Sequence, residues 1–170
     1  VYDLDGKRAQ SALGDMRAFF DKSVQLGRLT REQADAACAR ASATDRLSDL
    51  AAADLVIEAV FEDANVKAEL FRSLDAVLHE DAIIASNTSA MPIELLSGFV
   101  TRPERFLGVH WMNPAPFVPC VELIPSRHTS EAAIEFSERL ISGLGKITVR
   151  VSDQAGFVAK RLQYALFQEA

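Results

Sequence analysis

Short apolar runs alternate along the chain with longer segments in which apolar residues recur at helical spacing. Runs of strand length occupy residues 55–60, 82–85, 106–109 and 147–151, each bounded by polar or turn residues. The helical pattern covers residues 7–26, 31–41, 65–78 and 130–142. This alternation predicts βαβ units around a parallel sheet, and strands that are apolar throughout predict a sheet buried on both faces.

Capping and turn residues predict where some of these helices start and stop. Thr30 and Gln33 form the Thr-x-x-Gln pattern of a capping box in front of the second helix. Gly143 and Gly145 follow the helix of residues 130–142, as expected of a helix stop.

One further strand, residues 120–124, interrupts the alternation. It follows the Asn113-Pro114 turn too closely to leave room for a crossover helix, so we expect it to pair antiparallel with residues 106–109. The predicted fold is therefore α/β, with a mostly parallel sheet and an antiparallel edge. A domain boundary is expected at residues 152–156, where the last strand gives way to a helix predicted over residues 157–170.

Composition narrows the functional classes. The chain has 170 residues and a formal net charge of −6, which fits one domain and argues against nucleic-acid binding, since phosphates require clustered Lys and Arg. No apolar run reaches the roughly 18 residues of a membrane span, and no secretory signal is visible. Cys38 and Cys120 match neither a disulfide nor a metal spacing, as is typical of a reducing compartment. Because the sequence starts without Met and stops within a helical pattern, we expect a fragment.

A carboxylate follows the first two residues. Val1 and Tyr2 have the character of a strand end, which puts Asp3 at the position that hydrogen-bonds an adenosine ribose in dinucleotide-binding sheets. The glycine-rich turn that normally precedes such an Asp by roughly 20 residues is not in this chain. A helix-start role is the alternative, and Asp5 is equally suited to cap the helix that begins near Lys7.

Charged residues accompany the strand of residues 55–60. Glu58 lies within its apolar run, Glu62 follows just past its carboxyl end, and Lys67 comes in the first turns of the next helix. Ligands of open α/β sheets bind at this end of the strands. A solvated Glu62–Lys67 pair without a functional role is the alternative.

Small polar residues follow the next strand. Residues 86–92 read SNTSAMP, with Pro92 expected in the first turn of a helix. We expect one of these hydroxyls to cap that helix and the others to be free to face a cofactor.

His110 follows an apolar run and leads into the Asn-Pro turn. If the two strands pair antiparallel, His110 and Glu122 lie side by side on one face of the sheet. A carboxylate that orients an imidazole and fixes its tautomer produces a general base. On spacing alone, a pair that only satisfies two buried polar groups stays open as well.

Five stretches resemble the L-3-hydroxyacyl-CoA dehydrogenase family in order and spacing, over practically all of the chain: Asp3, DLVIEAVFEDANVK (54–67), SNTSAMPI (86–93), RFLGVHWMNPAPFVPCVELIP (105–125) and DQAGFVAKRL (153–162). The resemblance implies a Rossmann-type NAD-binding domain in residues 1–152, without its first strand and glycine-rich turn, and the start of a helical dimerisation domain in residues 153–170. It also implies NAD as the cofactor, a small-molecule substrate, a homodimer in the cytoplasm, and no nucleic acid, membrane or metal.

The resemblance further implies a role for each matching residue. His110 would take the proton of a 3-hydroxyl while a hydride passes to NAD, and Glu122 would stabilise the imidazolium. The implied catalytic positions are His110, Glu122, Ser89 and Asn113; the implied cofactor contacts are Asp3, Glu62, Lys67, Ser89 and Asn113; the implied substrate contacts are Ser89 and Lys160.

Two departures from the family pattern concern the substrate. Lys160 takes the place of the asparagine in the family's Gly-Phe-x-x-Asn-Arg motif. Phe19 and Leu26 stand where acyl-CoA members carry a serine and a lysine for the CoA moiety. The first expectation is oxidation of an L-3-hydroxyacyl-CoA; a free hydroxy acid of the L-gulonate or carnitine type is the alternative, and a non-catalytic crystallin-like protein is a further one.

Overall fold

The structure is a computed structural model that describes residues 1–169. The chain divides into two compact units, the first comprising Val1–Ala52 and the second beginning at Ala53. None of the helices in the described residues is both long and apolar enough to cross a membrane.

The first unit is a pair of helices followed by a short 3-10 helix, Leu47–Leu50. Helix α1 spans Gly6–Gln25, and its N-cap is Asp5, whose carboxylate accepts a hydrogen bond from the Lys7 N–H (3.0 Å). Helix α2 spans Arg31–Ala39. It begins with the predicted capping box, in which Thr30 and Gln33 each accept a hydrogen bond from the other's backbone N–H (3.2 and 2.9 Å).

The second unit is built on a five-stranded sheet with the order β1-β2-β3-β4-β5. The strands are β1 Leu55–Glu58, β2 Ile83–Ser86, β3 Phe106–Trp111, β4 Cys120–Pro125 and β5 Ile147–Arg150. All neighbouring pairs are parallel except β3 and β4, which confirms the α/β fold and the antiparallel return after the Asn-Pro turn. Because β5 pairs with β4, the antiparallel pair lies inside the sheet rather than at its edge.

Four α-helices and a short 3-10 helix, Pro103–Arg105, accompany the sheet in the described residues; the α-helices are α3 Ala64–Asp75, α4 Ile93–Ser97, α5 Glu131–Gly143 and α6 Ala159–Gln168. Gly143, predicted to follow α5, is its last residue, and Gly145 follows with a φ of 77°. The predicted start of α6 at residue 157 is wrong, because Gly156 and Phe157 have φ values of 77° and 48°, outside the helical region. The predicted end of α6, residue 170, lies outside the described residues.

The apolar core lies around the three central strands. The buried residues of one cluster in this core are Ile83, Ala85, Leu107, Val109, Val121, Leu123, Ala133 and Ile141. The prediction that every strand is buried on both faces is wrong for β5, where Ile147 is 63% exposed and Val149 is 42% exposed. Since β1 and β5 end the strand order, each has one neighbour in the described sheet, and their side chains are less enclosed.

Helix α4 packs closely on β3 at Gly108. A Cβ at this position would lie 2.8 Å from Ile93 Cδ1, closer than Cβ atoms approach other atoms in folded proteins, and 3.0 Å from Ile124 Cβ, which is also tight. The glycine therefore sets how near α4 comes to the sheet, two residues before His110.

Candidate active site

His110 lies near the carboxyl end of β3, and β4 brings Glu122 directly opposite it in the ladder. Paired residues of antiparallel strands project from the same face, which brings the two side chains into contact. His110 Nδ1 is 2.7 Å from Glu122 Oε2, and the two residues are only 5% and 2% exposed. The predicted neighbours form a buried hydrogen-bonded pair.

Ser89 contacts the other nitrogen of the same imidazole. Its Oγ lies 3.0 Å from His110 Nε2, and Ser89 itself is half-buried in the loop after β2. A carboxylate only accepts hydrogen bonds, so the proton between His110 and Glu122 belongs to Nδ1. Nε2 of the neutral imidazole then carries a lone pair, and the Ser89 hydroxyl donates to it. A lone pair that faces a half-exposed position is what a general base requires.

The second oxygen of Glu122 is bound by the backbone at the start of α6. Glu122 Oε1 accepts hydrogen bonds from the N–H groups of Val158 (3.0 Å) and Ala159 (2.9 Å). N–H groups at a helix N-terminus stabilise a negative charge. Glu122 therefore binds His110 with one oxygen and caps α6 with the other. The Phe157 ring packs against the imidazole, with 5.4 Å between the ring centroids.

A second charged cluster lies at the carboxyl ends of β1 and β2. Lys67 is 1% exposed, and its Nζ is 2.6 Å from Glu58 Oε1 and 3.3 Å from Glu62 Oε2. Glu58 also accepts hydrogen bonds from the Val60 N–H (2.7 Å) and from Ser86 Oγ (2.6 Å). The alternative of a solvated Glu62–Lys67 pair is wrong for Lys67, because its ammonium is enclosed by carboxylates, whereas the Glu62 side chain is 42% exposed.

Glu62 joins this cluster to the loop after β2. Its Oε1 accepts hydrogen bonds from the Thr88 hydroxyl and from the Ala90 N–H (3.3 Å). Burial alone would raise the pKa of Glu62, but the hydrogen bond from Thr88 and the charge of Lys67 outweigh it and hold this pKa below its ordinary value. The Glu62 side chain is 42% exposed, so it stays ionised and accessible.

The loop of residues 86–91 is fixed from several directions. Asn87 Oδ1 accepts a hydrogen bond from the Trp111 N–H (2.9 Å), which ties the end of β2 to the end of β3. The prediction that a hydroxyl of this loop caps the next helix is wrong. Pro92 is the N-cap residue of α4, and the carboxylate of Asp153 accepts from the N–H groups of Ile93 (3.0 Å) and Glu94 (2.7 Å).

Two further residues with an expected role lie near these elements in sequence. Asn113 is exposed in the turn after β3, where its peptide bond to Pro114 is cis. Lys160 is half-buried in the first turn of α6, one residue after Ala159, which donates to Glu122.

Asp3 belongs to the first unit. The preceding residue, Tyr2, forms a parallel bridge with Thr44, so Asp3 follows an extended segment as predicted. Its Oδ1 accepts a hydrogen bond from the Asp5 N–H (2.8 Å). The expectation that Asp5 caps the following helix is confirmed as well.

Three residues that the structure places in the site had no predicted role: Glu58, Asn87 and Phe157. A glutamate inside an apolar run was a usable signal for Glu58, because a buried carboxylate requires a partner. Asn87 and Phe157 contact residues more than 20 positions away in the sequence, and no local sequence pattern predicts such contacts.

Known proteins are similar to this chain in sequence and in fold. The family model for the NAD binding domain of 3-hydroxyacyl-CoA dehydrogenase matches residues 1–154. A 3-hydroxybutyryl-CoA dehydrogenase of Mycobacterium tuberculosis is 43% identical over 144 residues, which are 84% of this chain and 50% of that protein. A 5-formyl-3-hydroxy-2-methylpyridine 4-carboxylate 5-dehydrogenase of Mesorhizobium japonicum is 40% identical over 129 residues, 75% of this chain and 42% of that protein.

The solved structures include a close match in fold. The crystal structure of (S)-3-hydroxybutyryl-CoA dehydrogenase PaaH1 from Ralstonia eutropha superposes with a TM-score of 0.95 at 32% identity, and the match covers 99% of this chain and 59% of that one. The chain thus spans about half the length of the curated relatives it matches.

Proposed function

Because the chain belongs to the 3-hydroxyacyl-CoA dehydrogenase family, we propose that it forms the NAD-binding part of an enzyme that oxidises the 3-hydroxyl of an L-3-hydroxyacyl-CoA to a ketone. The observation that carries the proposal is the hydrogen-bonded series Ser89–His110–Glu122, with distances of 3.0 and 2.7 Å. It places one imidazole lone pair beside a half-buried hydroxyl at the end of the sheet where ligands bind.

In this proposal His110 is the general base. The substrate hydroxyl takes a position beside Nε2, its proton passes to that nitrogen, and the imidazole becomes an imidazolium. Glu122 stabilises the new positive charge, because its carboxylate lies 2.7 Å from Nδ1 of the same imidazole. Ser89 and, from the turn after β3, Asn113 hold the substrate oxygen or the cofactor in place.

The side chains expected at the cofactor suit NAD. Asp3 and Glu62 present carboxylates, which accept hydrogen bonds from ribose hydroxyls, and an acidic residue at the adenosine ribose disfavours a cofactor with a 2′-phosphate. When bound, NAD supplies the hydride acceptor. Lys67 is enclosed by Glu58 and Glu62, so we assign it an indirect cofactor role, through the position of the Glu62 carboxylate.

We also propose the domain organisation and assembly that the family implies. Residues 1–152 form the NAD-binding domain and residues 153–170 begin a helical domain, a division supported by the family match to residues 1–154. A homodimer in the cytoplasm is the corresponding expectation for the full-length protein. Sedimentation velocity on that protein tests the dimer.

A second candidate is a dehydrogenase of an alcohol that carries no CoA. Phe19 and Leu26 replace the serine and lysine expected for CoA, Leu26 is 55% exposed, and Lys160 adds a positive charge near the start of α6. An ammonium in that position suits a free carboxylate. The relative from Mesorhizobium japonicum is named for a pyridine carboxylate and not for a CoA ester, which supports this candidate.

The deciding experiment measures initial rates of NADH formation by the full-length protein with L-3-hydroxybutyryl-CoA and with L-gulonate. Each substrate is tested on the unaltered protein, on His110→Ala and on His79→Ala, a matched control because His79 is exposed in the loop after α3. We expect turnover of the thioester, a fall of roughly 10²- to 10⁴-fold in kcat for His110→Ala, as for removal of a general base, and no change for His79→Ala.

Each other result has a definite meaning. A rate with L-gulonate alone selects the second candidate. Full activity of His110→Ala contradicts the assignment of the base. Absence of NADH formation with either substrate, or with related hydroxy acids, contradicts the enzyme proposal and favours a crystallin-like protein.

A further inference from the structure

Phe157 has a backbone conformation that conflicts with its residue type. Its φ is 48°, and it is the single non-glycine residue with positive φ among residues 1–169. Its side chain is nevertheless one of the most buried, with 2% exposure. A bulky residue in the left-handed region is strained, and such strain persists where the surrounding structure over-determines it, often at a functional site.

The backbone turn at residues 156–157 directs two N–H groups at the Glu122 carboxylate. Gly156 and Phe157, with φ values of 77° and 48°, turn the chain just before α6. After this turn, the N–H groups of Val158 and Ala159 point at Glu122 Oε1, at 3.0 and 2.9 Å. Val158, the N-cap residue, supplies no side-chain cap of its own, so the carboxylate of β4 performs that task.

The ring of Phe157 also covers His110. It packs against the His110 imidazole with 5.4 Å between centroids and 60° between planes. The ring covers one side of an imidazole that is 5% exposed and bonded at both nitrogens. Removal of the ring would open a space into which the imidazole can turn and through which water can reach the bond from Nδ1 to Glu122.

We propose that Phe157 is a positioning residue for the general base, acting on His110 through its ring and on Glu122 through its backbone turn. Glycine, which needs no strain at this φ, would preserve the turn and lose the ring. The chain holds phenylalanine there in spite of the strain, which is expected if the ring is required. This role rests on the proposed function, since it matters for catalysis when His110 is the base.

The test separates ring from backbone and uses a readout that is independent of the substrate. Phe157→Gly keeps the turn without the ring, and Phe157→Leu keeps a buried apolar side chain. Phe71→Leu is the matched control, because Phe71 is 0% exposed and packs against Phe106. The readout is the NMR signal of the His110 Nδ1 proton and its rate of exchange with water, assigned by its loss in His110→Ala, in the full-length protein with each substitution.

We expect Phe157→Gly to exchange this proton at least about tenfold faster and to lower kcat about tenfold or more, with KM for NAD nearly unchanged, because misplacing a catalytic group affects mainly the chemical step. Phe157→Leu should lie between Phe157→Gly and the unaltered protein in exchange rate and in kcat. Phe71→Leu should change neither the exchange rate nor kcat. If Phe157→Gly does not fold, the comparison of Phe157→Leu with Phe71→Leu decides.

The role of Phe157 would be overturned if Phe157→Gly has the same exchange rate and kcat as the unaltered protein. Equal effects of the two leucine variants would overturn it as well. Failure of the proposed function is distinguishable, since it removes NADH formation from the unaltered protein. Faster proton exchange in Phe157→Gly would then still support the contact between Phe157 and His110.

Discussion

The buried pair of Lys67 and Glu58 gives the sharpest quantitative prediction. The two side chains are 1% and 0% exposed, and their charged atoms are 2.6 Å apart. In Lys67→Met the hydrocarbon volume is largely retained while the ammonium is lost, so Glu58 keeps two neutral donors, the Val60 N–H and the Ser86 hydroxyl, without a countercharge. Breaking a buried ion pair from one side costs about 3–5 kcal/mol, and we expect the free energy of unfolding to fall by that amount.

The assay is urea denaturation of four proteins: unaltered, Lys67→Met, Glu58→Gln, and the double variant. Because the double variant leaves no uncompensated charge in the cluster's interior, its loss should be smaller than the sum of the single losses by about 1–3 kcal/mol. Lys22→Met is the control for loss of a lysine, since Lys22 is exposed in α1 and its loss should cost under about 0.5 kcal/mol.

The result that would refute this reasoning is equally specific. A loss below about 1 kcal/mol in Lys67→Met would mean that water or a shift of the chain compensates the carboxylate, contrary to the enclosure described above. Additive losses in the double variant would mean that the two side chains do not act as a pair.

Three further predictions concern stability. Gly108→Ala should lower the free energy of unfolding by about 1–3 kcal/mol in urea denaturation, because its Cβ would meet Ile93 at 2.8 Å; unchanged stability would contradict the tight α4–β3 contact. Asp153→Ala should cost about 1–2 kcal/mol in the same assay through loss of the α4 cap, whereas Asp153→Asn should cost less. The pKa of Glu62 lies below its ordinary value of 4.5, so the ionised carboxylate stabilises the fold above about pH 4.5. This contribution is lost as the pH falls through the lowered pKa. Thermal unfolding of Glu62→Gln should depend less on pH below about 4.5 than that of the unaltered protein; identical pH profiles would contradict this.

Local sequence patterns were sufficient for the parts of the fold that local interactions determine. The Thr30 capping box, the Asp5 cap and the strand positions rest on residues close together in sequence, and the structure confirms them. The pairing of His110 with Glu122 also followed from sequence, because a short return between strands forces antiparallel pairing and thus fixes which side chains face each other.

The remaining contacts depend on how distant segments meet. Asp153 caps a helix that starts 60 residues earlier, and a hydroxyl nearer in sequence was the expected cap. Lysine is usually a surface residue, but Lys67 is buried against Glu58 and Glu62 at the end of β1, and Ser86 of the neighbouring strand β2 binds the Glu58 carboxylate. The strained φ of Phe157 is likewise dictated by tertiary packing and runs against the preference of its residue type.

The antiparallel ladder between β3 and β4 has a consequence for how this protein can diversify. His110 and Glu122 are joined across the ladder, whereas the connection between the strands, residues 112–119, lies outside it. Lys146 holds this connection, because its Nζ donates hydrogen bonds to the carbonyl oxygens of Ala115 (2.6 Å) and Val118 (2.9 Å). A one-residue slip of this ladder would turn one of the two side chains to the opposite face of the sheet, so the register decides whether the imidazole meets its carboxylate. Because the length of the connection helps to set the register, insertions and deletions in it are expected to separate the histidine from the glutamate, whereas an engineered library that keeps its length and Asn113 leaves their pairing intact.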